Sequence, residues 1–163
     1  MGTMERLFSM FKQENSQVNT KNLDSIIGSI ITSPSWKPSE FVLNDLKNSG
    51  GLSKLKSPKL KKLLFQWTRH FNQMKETEAQ MEKTSMDIIN FLKVKGSLRN
   101  VDITGETFNY ERSQLPIDNL LLLKNPEFEN HIDDKLFVLH EAKEQFVEAK
   151  QLIRQILKAT SEE

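Results

Sequence analysis

Residues 57–95 read SPKLKKLLFQWTRHFNQMKETEAQMEKTSMDIINFLKVK, with no glycine anywhere and a single proline at the second position. Ser57 followed by Pro58 is a helix start: a side chain that can cap the first turn, then a residue whose missing N–H costs nothing there. The positions Leu60, Leu64, Trp67, Phe71, Met74, Glu78, Met81, Ser85, Ile88 and Leu92 advance alternately by four and three residues. That spacing keeps one stripe on one face of a helix, and only Glu78 and Ser85 interrupt its apolar character. Gly96 ends the pattern. Lys75 to Ser85 is the most polar part, so a kink or break there is the rival to one unbroken helix.

A second long helix opens at Asn125-Pro126 and runs to about residue 159, with Ile132, Leu136, Leu139, Ala142, Phe146, Ala149, Ile153 and Ile156 as its stripe. Between the two, residues 96–125 form a long connection, with an extended piece expected over 100–110 and a short helix after Pro116. Ahead of the long pair, residues 5–12 read as the last turns of a helix. Residues 20–32 form a helix with Leu23, Ile26, Ile27, Ile30 and Ile31 on one face, and residues 39–49 form another, capped by Gly50-Gly51. At about 1.5 Å per residue the long helices reach about 58 Å and 51 Å, whereas a compact chain of this size has a radius of gyration of only about 15 Å. The expected fold is therefore all-α: an elongated antiparallel helical bundle with two long helices, about 57–95 and 126–159, and short N-terminal helices. Residues 5–163 are read as a single domain.

Composition narrows the function. The chain has 163 residues, 37% apolar and 28% charged, with a net charge of +1, six glycines, five prolines and no cysteine. Near-neutral charge disfavours a dedicated nucleic-acid binder. The lack of cysteine removes disulfides, thiolate catalysis and cysteine-ligated zinc. No uninterrupted apolar run is longer than the four residues of 120–123, so a water-soluble chain is expected. Met1-Gly2-Thr3 ahead of a second methionine, Met4, reads as a cloning remnant over residues 1–4, with the natural chain beginning upstream.

The run Val42-Leu43-Asn44-Asp45-Leu46-Lys47-Asn48-Ser49-Gly50-Gly51-Leu52, followed by Leu60 and Trp67, resembles an uncharacterised family of bacterial membrane proteins common in flavobacteria and their relatives. Gly96, Arg99 and Asn100 after the long helix match the family pattern, as do Phe128-Glu129-Asn130 and Leu136 in the last helix. The resemblance spans about residues 20–158 and rests on the order of several short motifs. It implies the helical periplasmic domain of a single-pass inner-membrane protein, here without its anchor. It implies no activity, cofactor or catalytic residue.

Four sets of polar residues are candidates for chemistry. Glu78 and Ser85 interrupt the seam seven residues apart; they could hold a polar ligand, or Glu78 could simply reach solvent, since an unpartnered buried carboxylate costs several kcal/mol. Arg99 and Asn100 should lie near Glu129 and Asn130 in an antiparallel hairpin. They form either a polar pocket or, the reading preferred here, a clamp on the long connection in which Arg99 pairs with Glu129. His131 with Glu127 and Asp134 is a loose cluster better explained as a solvated surface than as a metal site. Lys54, Lys56, Lys59, Lys61 and Lys62, with Lys150, Arg154 and Lys158, would make one bundle tip positive, suited to an anionic partner or merely solvated.

No nucleophile, base and orienting group share a recognisable spacing. The leading expectation is thus a non-enzymatic, membrane-anchored helical domain that contacts a partner protein or senses a small polar ligand, with no metal, cofactor or nucleic acid. One alternative is a self-association module using exposed apolar residues such as Val138, Val147 and Leu157. Another is a hydrolase using carboxylates near residues 100–111.

Overall fold

The computed structural model describes residues 2–14, 17–105 and 109–161. The described residues contain helices and no strand. In order these are α1 (Thr3–Phe11), α2 (Thr20–Ile31), α3 (Phe41–Asn48), α4 (Gly51–Lys54), α5 (Pro58–Lys95), α6 (Leu98–Asp102), a 3-10 helix (Asn119–Lys124) and α7 (Pro126–Thr160).

The caps explain the boundaries. Asn19 accepts from the Asn22 N–H at 3.1 Å and opens α2, while Ser57 accepts from the Leu60 N–H at 3.1 Å and opens α5. Asn125 caps α7 by accepting from Glu127 and Phe128. Gly50 follows α3 with φ of +69°, the left-handed conformation that an L side chain resists. α1 begins at Thr3, earlier than the pattern suggested, because the Glu5 carboxylate accepts from the Gly2 N–H at 2.8 Å. α5 is unbroken from 58 to 95, so the polar stretch at Lys75 to Ser85 is not a break.

Contacts divide the chain into two units, Met1–Ser33 with Gln80–Leu139, and Pro34–Ala79 with His140–Glu163. The two long helices pack together and contribute to both. In the first unit, one apolar cluster joins Leu7 and Met10 of α1, Leu23, Ile26, Ile27 and Ile30 of α2, Ile88, Phe91 and Leu92 of α5, Val101 of α6, Leu122 and Leu123, and Phe128 and Ile132 of α7. Phe91 stacks on Phe128 with ring centroids 5.8 Å apart, and Ser85 meets Lys135; residue numbers fall along α5 as they rise along α7. Gly96 allows this end of α5 to close, since a Cβ there would lie 2.8 Å from Asn119 Oδ1.

The second unit is built differently. Leu60, Leu63 and Ala159 form a small buried cluster flanked by Leu55, Leu64, Leu152 and Ile156. Trp36 packs edge-on against Trp67 and tilts against Phe146, while Trp67 stacks on Phe71. α3 buries no residue, and its Phe41 and Val42 are exposed.

Two expectations about the long helices change. The buried face of α5 is wider than the seam, because Leu63, His70, Thr77, Thr84 and Phe91, each seven residues from the next, are buried beside it. Such a third row belongs to a helix covered by more than one neighbour, not to a strict two-helix seam. On α7, Leu136 is exposed and Lys135 is fully buried. A helix of 3.6 residues per turn, fixed at Phe128 and Ile132, next turns inward at 135, which displaces Leu136 from the stripe. The same rotation buries Val138, which was expected on an exposed face; Val147 and Leu157 are exposed.

The connection is also more structured than expected. Residues 100–102 are helical, so the extended piece over 100–110 does not begin there, and its residues 106–108 lie outside the described residues. The 3-10 helix supplies the short element after Pro116, with Asp118 accepting from the Leu120 N–H.

Candidate functional site

The first unit holds two buried polar nodes. In one, Asp24 of α2 is fully buried, and its two carboxylate oxygens are both used. Arg112 Nη2 donates to Oδ2 at 2.6 Å and Asn119 Nδ2 donates to Oδ1 at 2.6 Å. Asn119 is itself fully buried; it also donates to the Ser97 carbonyl at 3.1 Å and accepts from the Ser97 N–H at 2.7 Å. One carboxylate thus ties α2 to the middle of the long connection at Arg112 and, through Asn119, to its start at Ser97. A buried carboxylate requires such partners, because leaving it unpaired costs several kcal/mol.

Arg99 and Asn100 extend this node along the connection. Arg99 Nε donates to the Glu111 carbonyl at 2.6 Å, and its guanidinium lies over the Tyr110 ring, 4.8 Å from the centroid. Asn100 is buried and accepts from the Ser113 N–H at 2.9 Å. Arg99 therefore turns toward residues 110–111 and not toward Glu129. Glu129 and Asn130 are exposed on α7. The predicted quartet is not assembled: Arg99 and Asn100 hold the connection, and Glu129 and Asn130 face solvent.

A cavity of about 530 Å³ opens beside Arg99. Leu92, Leu98, Leu115 and Ile117 give it an apolar wall, and Lys93, Arg99 and Arg112 line it with cations. A second cavity of about 320 Å³ lies between α2 and α6, lined by Ser25, Ser29, Thr32, Asp102 and Thr104 among others. Burial pushes the Asp102 carboxyl above its usual pKa. Asp102 and Glu111 line different cavities, so these two carboxylates of the 100–111 segment do not share a site. Glu106 of that segment is outside the described residues.

The second node surrounds Lys135, whose side chain is fully buried. Its Nζ donates to Ser33 Oγ at 2.7 Å, to the Met81 carbonyl at 2.8 Å and to Ser85 Oγ at 2.8 Å. Three acceptors match the three ammonium hydrogens, but all are uncharged. Burial lowers the Lys135 pKa from 10.5 to about 8. Ser85, singled out as an interruption of the seam, is thus an acceptor for a buried lysine and also donates to the Met81 carbonyl. Glu78 takes no part: it is half-buried, belongs to the other unit and has no ion pair among the described residues.

In the second unit, His70 is buried and its Nε2 lies 2.9 Å from the Gln145 carbonyl, which can only accept, so Nε2 carries hydrogen. Its Nδ1 is 3.5 Å from Glu148. Gln145 Nε2 donates to Thr77 Oγ1 at 2.9 Å. The basic residues also belong to this unit. Lys54, Lys56, Lys59, Lys62, Lys150, Arg154 and Lys158 are exposed, and Lys61 is half-buried and donates to the Ser53 carbonyl at 2.9 Å. Ala159 packing on Leu60 and Leu63 brings the start of α5 and the end of α7 together, which places both sets of cations at one end of that unit.

His131 of the first unit meets the Phe91 ring edge-on at 5.5 Å, and among the described residues no three His, Asp or Glu groups converge as metal ligands. Among the described residues, no helix is long and apolar enough to cross a membrane.

Sequence reasoning missed Asp24, Arg112, Asn119 and Lys135. Asp24 and Lys135 left a trace, a charge standing at a core position of an amphipathic stripe. Arg112 and Asn119 left none, since their partners are 88 and 95 residues away in the chain.

No family model matches the chain, and no curated protein and no solved structure is similar to it.

Proposed function

We propose that this chain is a non-enzymatic, ligand-sensing domain of a membrane-anchored bacterial protein, an antiparallel helical bundle acting outside the cytoplasm. The setting rests on the resemblance carried by residues 42–52, Gly96, Arg99, Asn100 and Phe128-Glu129-Asn130. The sensing role rests on one observation: the cavity beside Arg99 is walled by the long connection, which is held to α2 and α6 by the Arg112–Asp24 and Arg99–Glu111 contacts. Side chains fixed this way keep their geometry without a ligand, which reduces the ordering cost of binding one. A ligand that engages the wall changes the connection, and through Asn119 and Asp24 it reaches α2.

The test has two arms. Protease added outside spheroplasts of cells making the whole natural protein should digest the domain; complete protection would remove the extracytoplasmic assignment. A small-molecule library screened by amide NMR should yield binders that shift Ser97, Leu98 and Ser113. Binders that only mark other surfaces, or are turned over, would remove the sensing assignment.

A second reading, self-association, is favoured by exposed Val147 and Leu157, at 47% and 63% of full exposure. Sedimentation at high concentration should then show a dimer; a strict monomer removes it.

A further inference from the structure

We infer that the cavity beside Arg99 binds a monocarboxylate with a short apolar tail, an inference that rests on the ligand-sensing reading and gives it a ligand class. Three features of the wall lead there. The first is the state of Arg99. Its Nε is engaged by the Glu111 carbonyl at 2.6 Å and one face is covered by Tyr110, so the guanidinium is held from two sides. Among the described residues it has no carboxylate partner, and its two terminal NH2 groups form no hydrogen bond. A fixed guanidinium with its terminal edge open offers the parallel pair of N–H donors that a carboxylate accepts.

The second feature is charge. Arg112 is neutralised by Asp24, which leaves Lys93 and Arg99 against Glu111, the one carboxylate among the described lining residues. The remaining balance is positive, so the cavity selects an anion over a cation. The third is the apolar side. Leu92, Leu98, Leu115 and Ile117 line the same cavity, and Leu115 and Ile117 are 66% and 40% exposed without a ligand. Covering them favours a tail over a bare anion such as phosphate. At about 530 Å³ the cavity is in the range used for small organic ligands, roughly 300–1,000 Å³.

Octanoate, octanol, octylammonium and inorganic phosphate are the probes, titrated into the whole 15N-labelled chain. Octanoate should give saturable shifts at Gly96, Ser97, Leu98 and Ser113, with octanol and phosphate binding at least about tenfold more weakly and octylammonium not at all. Arg99→Gln should weaken octanoate by about tenfold or more and leave octanol unchanged, which shows the cavity intact; Arg99→Lys, which keeps charge but not the fork, should fall between. Equal binding of octanol and octanoate, or an Arg99→Gln variant that binds octanoate normally, overturns the inference while leaving a ligand-binding cavity. Silence from all four probes, with other library compounds shifting the same amides, overturns the ligand class alone. Silence from both sets overturns the sensing reading as well.

Discussion

The two units use the same pair of long helices and bury very different things with them. In the first, fourteen buried apolar residues from α1, α2, α5, α6, α7 and the connection form one cluster with Val18 from the turn before α2, and each fully buried charge has hydrogen-bond partners. In the second, the buried cluster is three residues, supplemented by buried Phe71, Met74, Ala142 and Ala149 outside it, by the partly covered Trp67 and Phe146, and by His70 and Thr77 bonded to α7. Apolar burial is the main favourable term in folding, at about 25 cal/mol per Å². A long helix therefore does not confer uniform stability along its length; what packs on it locally does.

Parallel truncations should expose this difference. Phe128→Ala removes a fully buried ring that touches both Phe11 and Phe91, and should cost about 3–5 kcal/mol in urea unfolding. Leu60→Ala should cost about 2 kcal/mol, with amide exchange accelerating in the second unit before the first. Equal costs and equal exchange would mean that the two units share one cooperative core. Next in size, Asp24→Ala should cost about 3 kcal/mol, because Asn119 and Arg112 lose a charged acceptor in a buried setting. Its distinguishing mark is faster exchange at Ser97 and Ser113, and unchanged exchange there would show that the connection is held by other contacts.

The third and smallest effect has the opposite sign. Below about pH 8, Lys135 is charged in both the folded and the unfolded chain, and the cost of burying that charge is felt in full. From about pH 8 to 10.5 the folded chain binds fewer protons than the unfolded one, so this group makes stability rise with pH. Lys135→Met, which keeps the length and removes the charge, should be more stable at neutral pH by roughly 1–3 kcal/mol and should lack that rise. A variant that is less stable at neutral pH would show that the three hydrogen bonds outweigh desolvation.

Much of this architecture is written locally. The pattern in residues 57–95, the Ser57-Pro58 and Asn125-Pro126 starts, and Gly50 at a left-handed position all depend on neighbours a few residues apart, and they yield the two long helices and their ends. The all-helical class follows from the same periodicity. The candidate site was less legible: Arg99 and Asn100 were found, but their partners were expected on α7 and lie instead at Glu111 and Ser113 on the connection. Leu136 and Val138 were placed on the wrong sides because the stripe was continued four residues on from Ile132, whereas a helix with both Phe128 and Ile132 inward next turns inward at 135.

What the sequence determined by itself is the two long helices, where each of them begins, and which broad face of α5 is apolar, because those properties are set within one or two turns. Only the tertiary structure decided that Asp24 and Lys135 are interior charges and that Arg99 turns to Glu111 and Tyr110 beside a cavity. A charge at a core position is tolerable only where hydrogen-bonding groups distant in sequence converge on it, and no local pattern records that convergence.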